Sequence, residues 1–352
     1  MEINVNDRTG GKVRDKRVLV TSKYRINKTK LKRRLWFLGI LALVAGFALF
    51  NGNIYTYLAD REYKKQNYEE AVRLYEKVAG SNAKAQAQLA FMYENGQGVP
   101  IDLDKAIEFY TLAAEKGNAR SMYNLAEFYD GYYGLPVDYK KALDLYAKSA
   151  EKGYEKALTG LGRLYLNGSG VDPDLKKAGE LFREAAEKGD PTAWEKLGQM
   201  YLVGHGVPTD PEKYKECYRE AIEIYQDKTY KDEVSAFISL GNIYYFGNGV
   251  EADLQRAMDY YIKAADLGSY YGMHMLGVIH SEQRDTQEDY EKAMKYYEDA
   301  AAEGYIPAIY SLGSMYHNGK GVPRDLARAI EFYKKAADNH YIEAWESLAE
   351  IY

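Results

Sequence analysis

Five histidines, one cysteine and a periodic row of aspartates are the side chains in this 352-residue sequence best equipped for chemistry. His205, His274, His280, His317 and His340 could act as acid–base groups or metal ligands. None stands in an H-E-x-x-H or C-x-x-C arrangement. His205 and His317 fall at or beside glycine-rich turns and His340 at a predicted helix end, so surface or loop roles are expected. Cys217, beside Tyr218, has no ordered Cys-His-Asp set and reads as a packing residue. A single cysteine also excludes a disulfide framework and a cysteine zinc site. There is no G-x-S-x-G elbow and no phosphate loop, and the G-x-G pairs recur as turns. Asn167-Gly168-Ser169 has the form of a glycosylation sequon, which has meaning only in a eukaryotic secretory lumen. No catalytic, metal or cofactor residue is assigned, and an enzyme is not expected.

The elements around these residues begin with a sharp charge split. Residues 1–34 hold twelve Lys/Arg and three acids, so the tail is +9; the other 318 residues hold 35 bases and 49 acids, so the body is −14. A body of that sign argues against nucleic-acid binding. No charge occurs between Arg34 and Asp60, and Leu35 to Phe50 is sixteen apolar or small residues. With Ile54–Leu58 the stretch reaches the roughly 20 residues a bilayer requires. A cleaved signal peptide has a shorter apolar core and a small-residue cleavage site. A buried core helix would be apolar on one side. A retained signal anchor over 35–57 fits best, with Trp36, Tyr55 and Tyr57 at the interfaces. Lys28, Lys30, Lys32, Arg33 and Arg34 then hold the N-terminus in the cytoplasm, and the body is exported. A bacterial inner membrane, with the body periplasmic or extracellular, is the expected setting. The tail reads as a solvated basic segment near anionic lipid.

After residue 84 a fixed period governs the chain. Leu-Gly/Ala recurs at Leu89, Leu125, Leu161, Leu197, Leu240, Leu276, Leu312 and Leu348, with spacings of 36 residues broken once by 43. Four residues on stands Tyr93, Tyr129, Tyr165, Tyr201, Tyr244, His280, Tyr316 or Tyr352. This grouping is one face of a helix, here helix A. A glycine-rich turn follows, then Asp102, Asp138, Asp174, Asp210, Asp253, Asp289 or Asp325. Each Asp is expected to cap a second helix, B, at about 1 kcal/mol. Helix B carries Ala, an aromatic (Tyr110, Tyr146, Phe182, Tyr218, Tyr261, Tyr297, Tyr333) and small residues, and usually closes on a glycine suited to a left-handed position. No such pair buries its face alone, so neighbours must stack.

These motifs resemble the Sel-one-like repeat (SLR) family, relatives of the tetratricopeptide repeat; Trp194–Tyr201 also matches the tetratricopeptide W-x2-L-G-x2-Y helix. The resemblance covers about residues 83–352 and implies an all-α, right-handed superhelical solenoid of seven to eight helix-turn-helix repeats, here behind one transmembrane helix. The expected organisation is a basic tail (1–34), the anchor (35–57), a tetratricopeptide-like first repeat (58–82), seven SLR units (83–344) and a capping half repeat (345–352). In the last, Trp345, Leu348 and Tyr352 should cover the open face. Cysteine-rich secreted relatives linked to β-lactam or peptidoglycan binding carry a cysteine pair per repeat; one cysteine here gives no ground to transfer that activity. Repeat four is seven residues too long, within Glu223–Ser235, and repeat six lacks the glycine turn.

Tyrosine is the compositional outlier at 36 residues, of which fourteen fall on the helix seams and 22, such as Tyr132, Tyr133, Tyr270 and Tyr271, exceed what the seams require. Tyrosine is a good interface residue. By resemblance to tetratricopeptide solenoids, helix A lines a groove, which Phe91, Tyr123, Arg163, Glu195, Ile238, Asn242, Tyr245, His274, Tyr310 and His317 should face. The expected function is a membrane-anchored scaffold that presents an exported groove to a protein or peptide of an envelope assembly. A cell-wall or glycan binder using aromatic platforms is the alternative.

Overall fold

The computed structural model describes residues 53–131, 136–227, 233–282 and 286–351. Among these there are 17 helices and no strands. Helical residues 53–64 (α1) are followed by α2 (Tyr68–Glu76), α3 (Ala83–Asn95) and α4 (Leu103–Glu115) in a first compact unit that ends at Lys116. The second unit starts at Gly117 and holds α5 (Ala119–Tyr129), α6 (Tyr139–Glu151), α7 (Glu155–Asn167), α8 (Leu175–Glu187), α9 (Pro191–Val203), α10 (Pro211–Gln226) and α11 (Val234–Phe246). It continues with α12 (Leu254–Asp266), α13 (Tyr270–Glu282), α14 (Gln287–Ala302), α15 (Ile306–Asn318), α16 (Leu326–Asp338) and α17 (Ile342–Ile351). Odd-numbered helices from α3 are the A helices and even-numbered ones the B helices, so the chain is an all-helical repeat solenoid.

The seams explain the repeat. Helix B places an alanine and an aromatic at zero or near-zero exposure, as in Ala257 and Tyr261. The ring enters a socket made by the small residue after the anchor leucine of helix A. A Cβ on Gly241 would sit 2.5 Å from Tyr261 Cε1, and one on Gly277 2.5 Å from Tyr297 Cε1. Two further buried rows of helix A complete the seam: a small residue four before the leucine (Ala85, Ala157, Ala236, Ala308) and an apolar one three after it (Met92, Leu164, Ile243, Met315). The small row lets one repeat approach the next. A Cβ on Gly272, in that row, would meet the Tyr261 carbonyl oxygen at 2.9 Å.

The turns are clamped at the aspartate. Its amide donates to the helix A tyrosine carbonyl (Asp253 to Tyr244, 2.8 Å) and its carboxylate accepts from the third residue of helix B (Arg256 N, 3.0 Å). Asp102, Asp138, Asp174, Asp210 and Asp325 cap their helices likewise. Asp289 does not. Without the glycine turn, α14 starts earlier with Thr286 as its cap, and Asp289 falls inside the first turn. There its carboxylate accepts from Thr286 Oγ1 at 2.5 Å and contacts His280 Nδ1 at 3.1 Å. At the other end of helix B, Gly117, Gly153, Gly189, Gly268 and Gly304 adopt φ between 81° and 98°, and His340 takes the same place at φ 63°.

Three expectations need correction or limits. Leu348 is buried, but Trp345 is 58% exposed and so does not cover the last face. Its equivalent Ile309 is buried against Ala336 and Ala337 of α16, and no described helix lies over Trp345 in that way. Residues 35–52 of the expected anchor, and Tyr132, Tyr133 and Tyr352, lie outside the described residues. Among those described, no helix is long and apolar enough to cross a membrane.

Candidate functional site

On α5 and α9 the position two before the anchor leucine is filled by Tyr123 and Glu195; on α7 it is Thr159, followed by Gly160. That loss of bulk opens a cavity of about 280 Å³ in the second unit, lined by Tyr123, Glu127, Lys156, Thr159, Gly160, Arg163, Phe182, Asp190, Thr192, Lys196 and Ser235. Gly160 is required by the packing beneath it, since a Cβ there would lie 2.6 Å from Tyr146 Cε1.

The cavity wall is a network. Arg163 Nη2 donates to Glu127 Oε1 at 3.0 Å, to Tyr146 OH at 3.0 Å and to Asp130 Oδ2. The buried Tyr146 hydroxyl donates to Glu127 and, at 3.3 Å, to Asp130. Burial alone would lower the Arg163 basicity, but Glu127, Tyr146 and Asp130 outweigh it and hold the guanidinium above its ordinary value. Asp190, 1% exposed, accepts from Thr159 Oγ1 and from Thr192 N at 3.1 Å. Burial pushes its carboxyl upward against those two bonds. Burial raises Glu195 too, opposed by the hydroxyl of Tyr225, which donates to it at 2.6 Å.

The long repeat four converges on the same place. α10 has 16 residues where α8 has 13, and the added turn carries Tyr225, whose hydroxyl also lies 3.4 Å from Thr192 Oγ1. Ser235, just past the inserted residues, lines the cavity from α11. Residues 228–232 of the insertion lie outside the described residues.

All ten residues expected to face a groove are half-buried. Tyr123 and Arg163 meet at the cavity, with Glu195 behind its wall. The other seven do not line that cavity. The position two before the leucine reaches a residue some thirty positions further along. Tyr123 packs on Tyr154 at 5.2 Å between ring centres, His274 on Tyr305 at 5.4 Å and Tyr310 on Tyr341 at 5.2 Å. Asn242 Oδ1 accepts from the buried seam hydroxyl of Tyr261 at 2.7 Å, and His317 Nδ1 lies 3.4 Å from that of Tyr333. Tyr245 packs beside Phe246 and Ile238 is on the same helix, while Phe91 belongs to the first unit. Tyr310 also lines a smaller cavity of about 130 Å³ with Ser281, Ser311 and Lys320.

Sequence reasoning missed Thr159, Gly160, Asp190 and Lys196. Their signal was the small pair Thr159-Gly160 in a row filled elsewhere by larger side chains. It also missed a cation ladder twelve residues after the helix A tyrosine: Lys141 and Lys177 lie 4.0 and 4.1 Å over the rings of Tyr129 and Tyr165. Arg256 and Arg328 repeat this over Tyr244 and Tyr316.

The histidines divide. His205 and His340 are exposed, His317 and His274 half-buried, and His280 is 5% exposed against Asp289. The cause is the missing glycine turn, which draws α14 back over the end of α13. Cys217 is buried, and burial pushes its thiol up to about 11, so the reactive thiolate is scarce at neutral pH. Among the described residues no three His, Cys, Asp or Glu side chains gather to hold a metal.

The stacked helix pairs, with a cavity walled by charged side chains, define the chain's class as a helical repeat solenoid. The chain belongs to the Sel1 repeat family, whose pattern matches residues 48–79, 83–118, 119–154, 155–190, 195–223, 238–269, 271–305 and 306–341. Proteins of this family generally mediate protein–protein interaction. No curated protein matches the chain. Among solved structures it is similar to a protective antigen of uropathogenic Escherichia coli with an SLR fold, at 26% identity over 86% of this chain and 72% of that one, TM-score 0.44. A Sel1 repeat protein of Oxalobacter formigenes is 25% identical over 89% of this chain and 91% of that one, TM-score 0.48.

Proposed function

We propose that this protein is a membrane-anchored interaction scaffold that holds a segment of a partner protein at the cavity between α5, α7 and α9. The observation that carries the reading is the cavity itself, built where two departures from the repeat meet: the small pair Thr159-Gly160 and the lengthened α10. A fold that needed only to stack would keep that row filled. The anchor rests on the sixteen apolar residues from Leu35 to Phe50 behind a +9 tail. With the tail cytoplasmic, the body is exported and the partner belongs to an envelope assembly. The glycan alternative depended on exposed tyrosine platforms. Tyr123 and Tyr310 are packed against neighbouring rings and do not supply one, whereas Tyr270 is 50% exposed.

In-cell photo-crosslinking tests this. A photoreactive residue at Ser235, exposed at the cavity, should trap discrete protein adducts, and one at Glu180, on the exposed side of α8, should trap none. Equal labelling from both sites, or adducts with wall material only, would remove the scaffold reading.

A further inference from the structure

Resting on that reading, we infer that the cavity takes a single acidic side chain of the bound segment, a glutamate carboxylate received by Arg163 and Lys196. Its acids are spent. Glu127 accepts from Arg163 and Tyr146, and Asp190 accepts from Thr159 and the Thr192 amide. Of its cations, Arg163 and Lys196 are not spent. All three bonds of Arg163 leave from Nη2, so Nε and Nη1 have no partner among the described residues. Lys196 forms no hydrogen bond or ion pair with the described residues; its charge acts on the neighbouring Glu195. A guanidinium N–H and an ammonium each give a charge-assisted bond to carboxylate oxygen, so the unpaired Nε–H of Arg163 and the Lys196 ammonium can share one guest carboxylate. The guest that completes the wall is therefore an anionic acceptor.

Shape narrows it further. The Tyr123 ring, the Phe182 edge and Gly160 form an apolar side that suits the methylenes of a glutamate stem, and about 280 Å³ is room for such a side chain. The body as a whole is −14 and repels a run of acids. Beyond about 8 Å that repulsion is screened at physiological salt. One glutamate flanked by neutral or basic residues is therefore favoured over a polyacidic tract.

The test uses the full chain in detergent, labelled with nitrogen-15 at arginine. The probe is a blocked pentapeptide with one central glutamate between alanines and terminal lysines, and its glutamine counterpart is the control. The glutamate peptide should shift the Arg163 Nε–H resonance saturably. The glutamine peptide, and the glutamate peptide on Lys196→Gln, should bind about tenfold more weakly, or about 1.4 kcal/mol. Equal binding of the two peptides, or no Arg163 shift at millimolar peptide, overturns the inference. The outcomes separate from those of the scaffold reading. Crosslinking from Ser235 can trap a partner while the peptides bind alike, which leaves the scaffold and sinks the glutamate. A glutamate-selective Arg163 shift without any trapped protein does the reverse.

Discussion

At the scale of single residues, burial of a titratable ring gives a measurable signature. His274 lies between Tyr297 and Tyr305, with ring centres 5.5 and 5.4 Å away, and its Nε2 is 3.2 Å from Ser311 Oγ. Burial pushes its pKa down to about 4 from an ordinary 6.5. The folded protein then resists protonation that the unfolded chain accepts. This stabilisation is complete above pH 6.5 and is lost as pH falls toward 4, with an effect of order 2 kcal/mol. Asp190 and Glu195, raised by burial, act in the opposite sense over the acid range, so the contribution must be read as a difference. The equivalent position is Tyr123 on α5 and Tyr310 on α15, so His274→Tyr supplies a residue the fold already uses there. Denaturant unfolding of both proteins at pH 7.5 and pH 4.5 should show the wild type losing more stability than the variant. Parallel losses would mean that the ring is solvated in the folded state. The sequence marked position 274 as a groove contact, because spacing shows which row a residue occupies. It does not show that this row reaches the next repeat, since the partner Tyr305 sits 31 residues away in a turn that the periodic pattern leaves blank.

At the scale of elements, capping separates the aspartates that obey the pattern from the one that does not. Asp253 caps α12 with one side-chain bond to Arg256 N at 3.0 Å, in a partly exposed turn. Asp253→Ala should cost about 1 kcal/mol, the ordinary value of such a cap. Asp289 is 8% exposed and ties α14 to α13 through His280, which is itself stacked on Tyr296. Removing its carboxylate strands a buried imidazole, so Asp289→Ala should cost about 2–3 kcal/mol. Thermal unfolding followed by circular dichroism ranks the two variants, and equal losses would show that the buried pair adds nothing beyond a cap. The helices and their caps were legible because stacking imposes one residue type per row for the length of the chain. The cavity was less so. It depends on Thr159 and Gly160 being small where Tyr123 and Glu195 are large, and one departure in one repeat has no period to announce it. The seam hydroxyls were hidden in the same way. Asn242, which read as a groove contact, accepts a hydrogen bond from Tyr261, a need that appears only once the ring is known to be fully buried.

At the scale of the whole molecule, the charge split and the repeat stack make separable demands. Helices in a repeat array contact near neighbours, so stability is nearly a sum over adjacent units. The cavity belongs wholly to the unit that begins at Gly117, supported by α5 to α11. Its described lining runs from Tyr123 to Ser235, so a chain that starts at Asn53 should keep its helical circular dichroism and its glutamate-selective Arg163 shift. Membrane association should behave in the opposite way. The uninterrupted apolar stretch Leu35–Phe50 is the part of the sequence with hydrocarbon-like character over sixteen residues, and the +9 tail before it opposes transfer of the N-terminus across a bilayer. The full chain should remain in the membrane pellet through carbonate extraction at high pH, while the chain from Asn53 is recovered in the supernatant. An exported reporter fused after Tyr352 should be active and a cytosolic one silent. Recovery of the full chain in the supernatant would abolish the anchor and the export with it, yet leave the cavity and its preference for an acidic side chain to stand on the wall that Arg163 and Lys196 build.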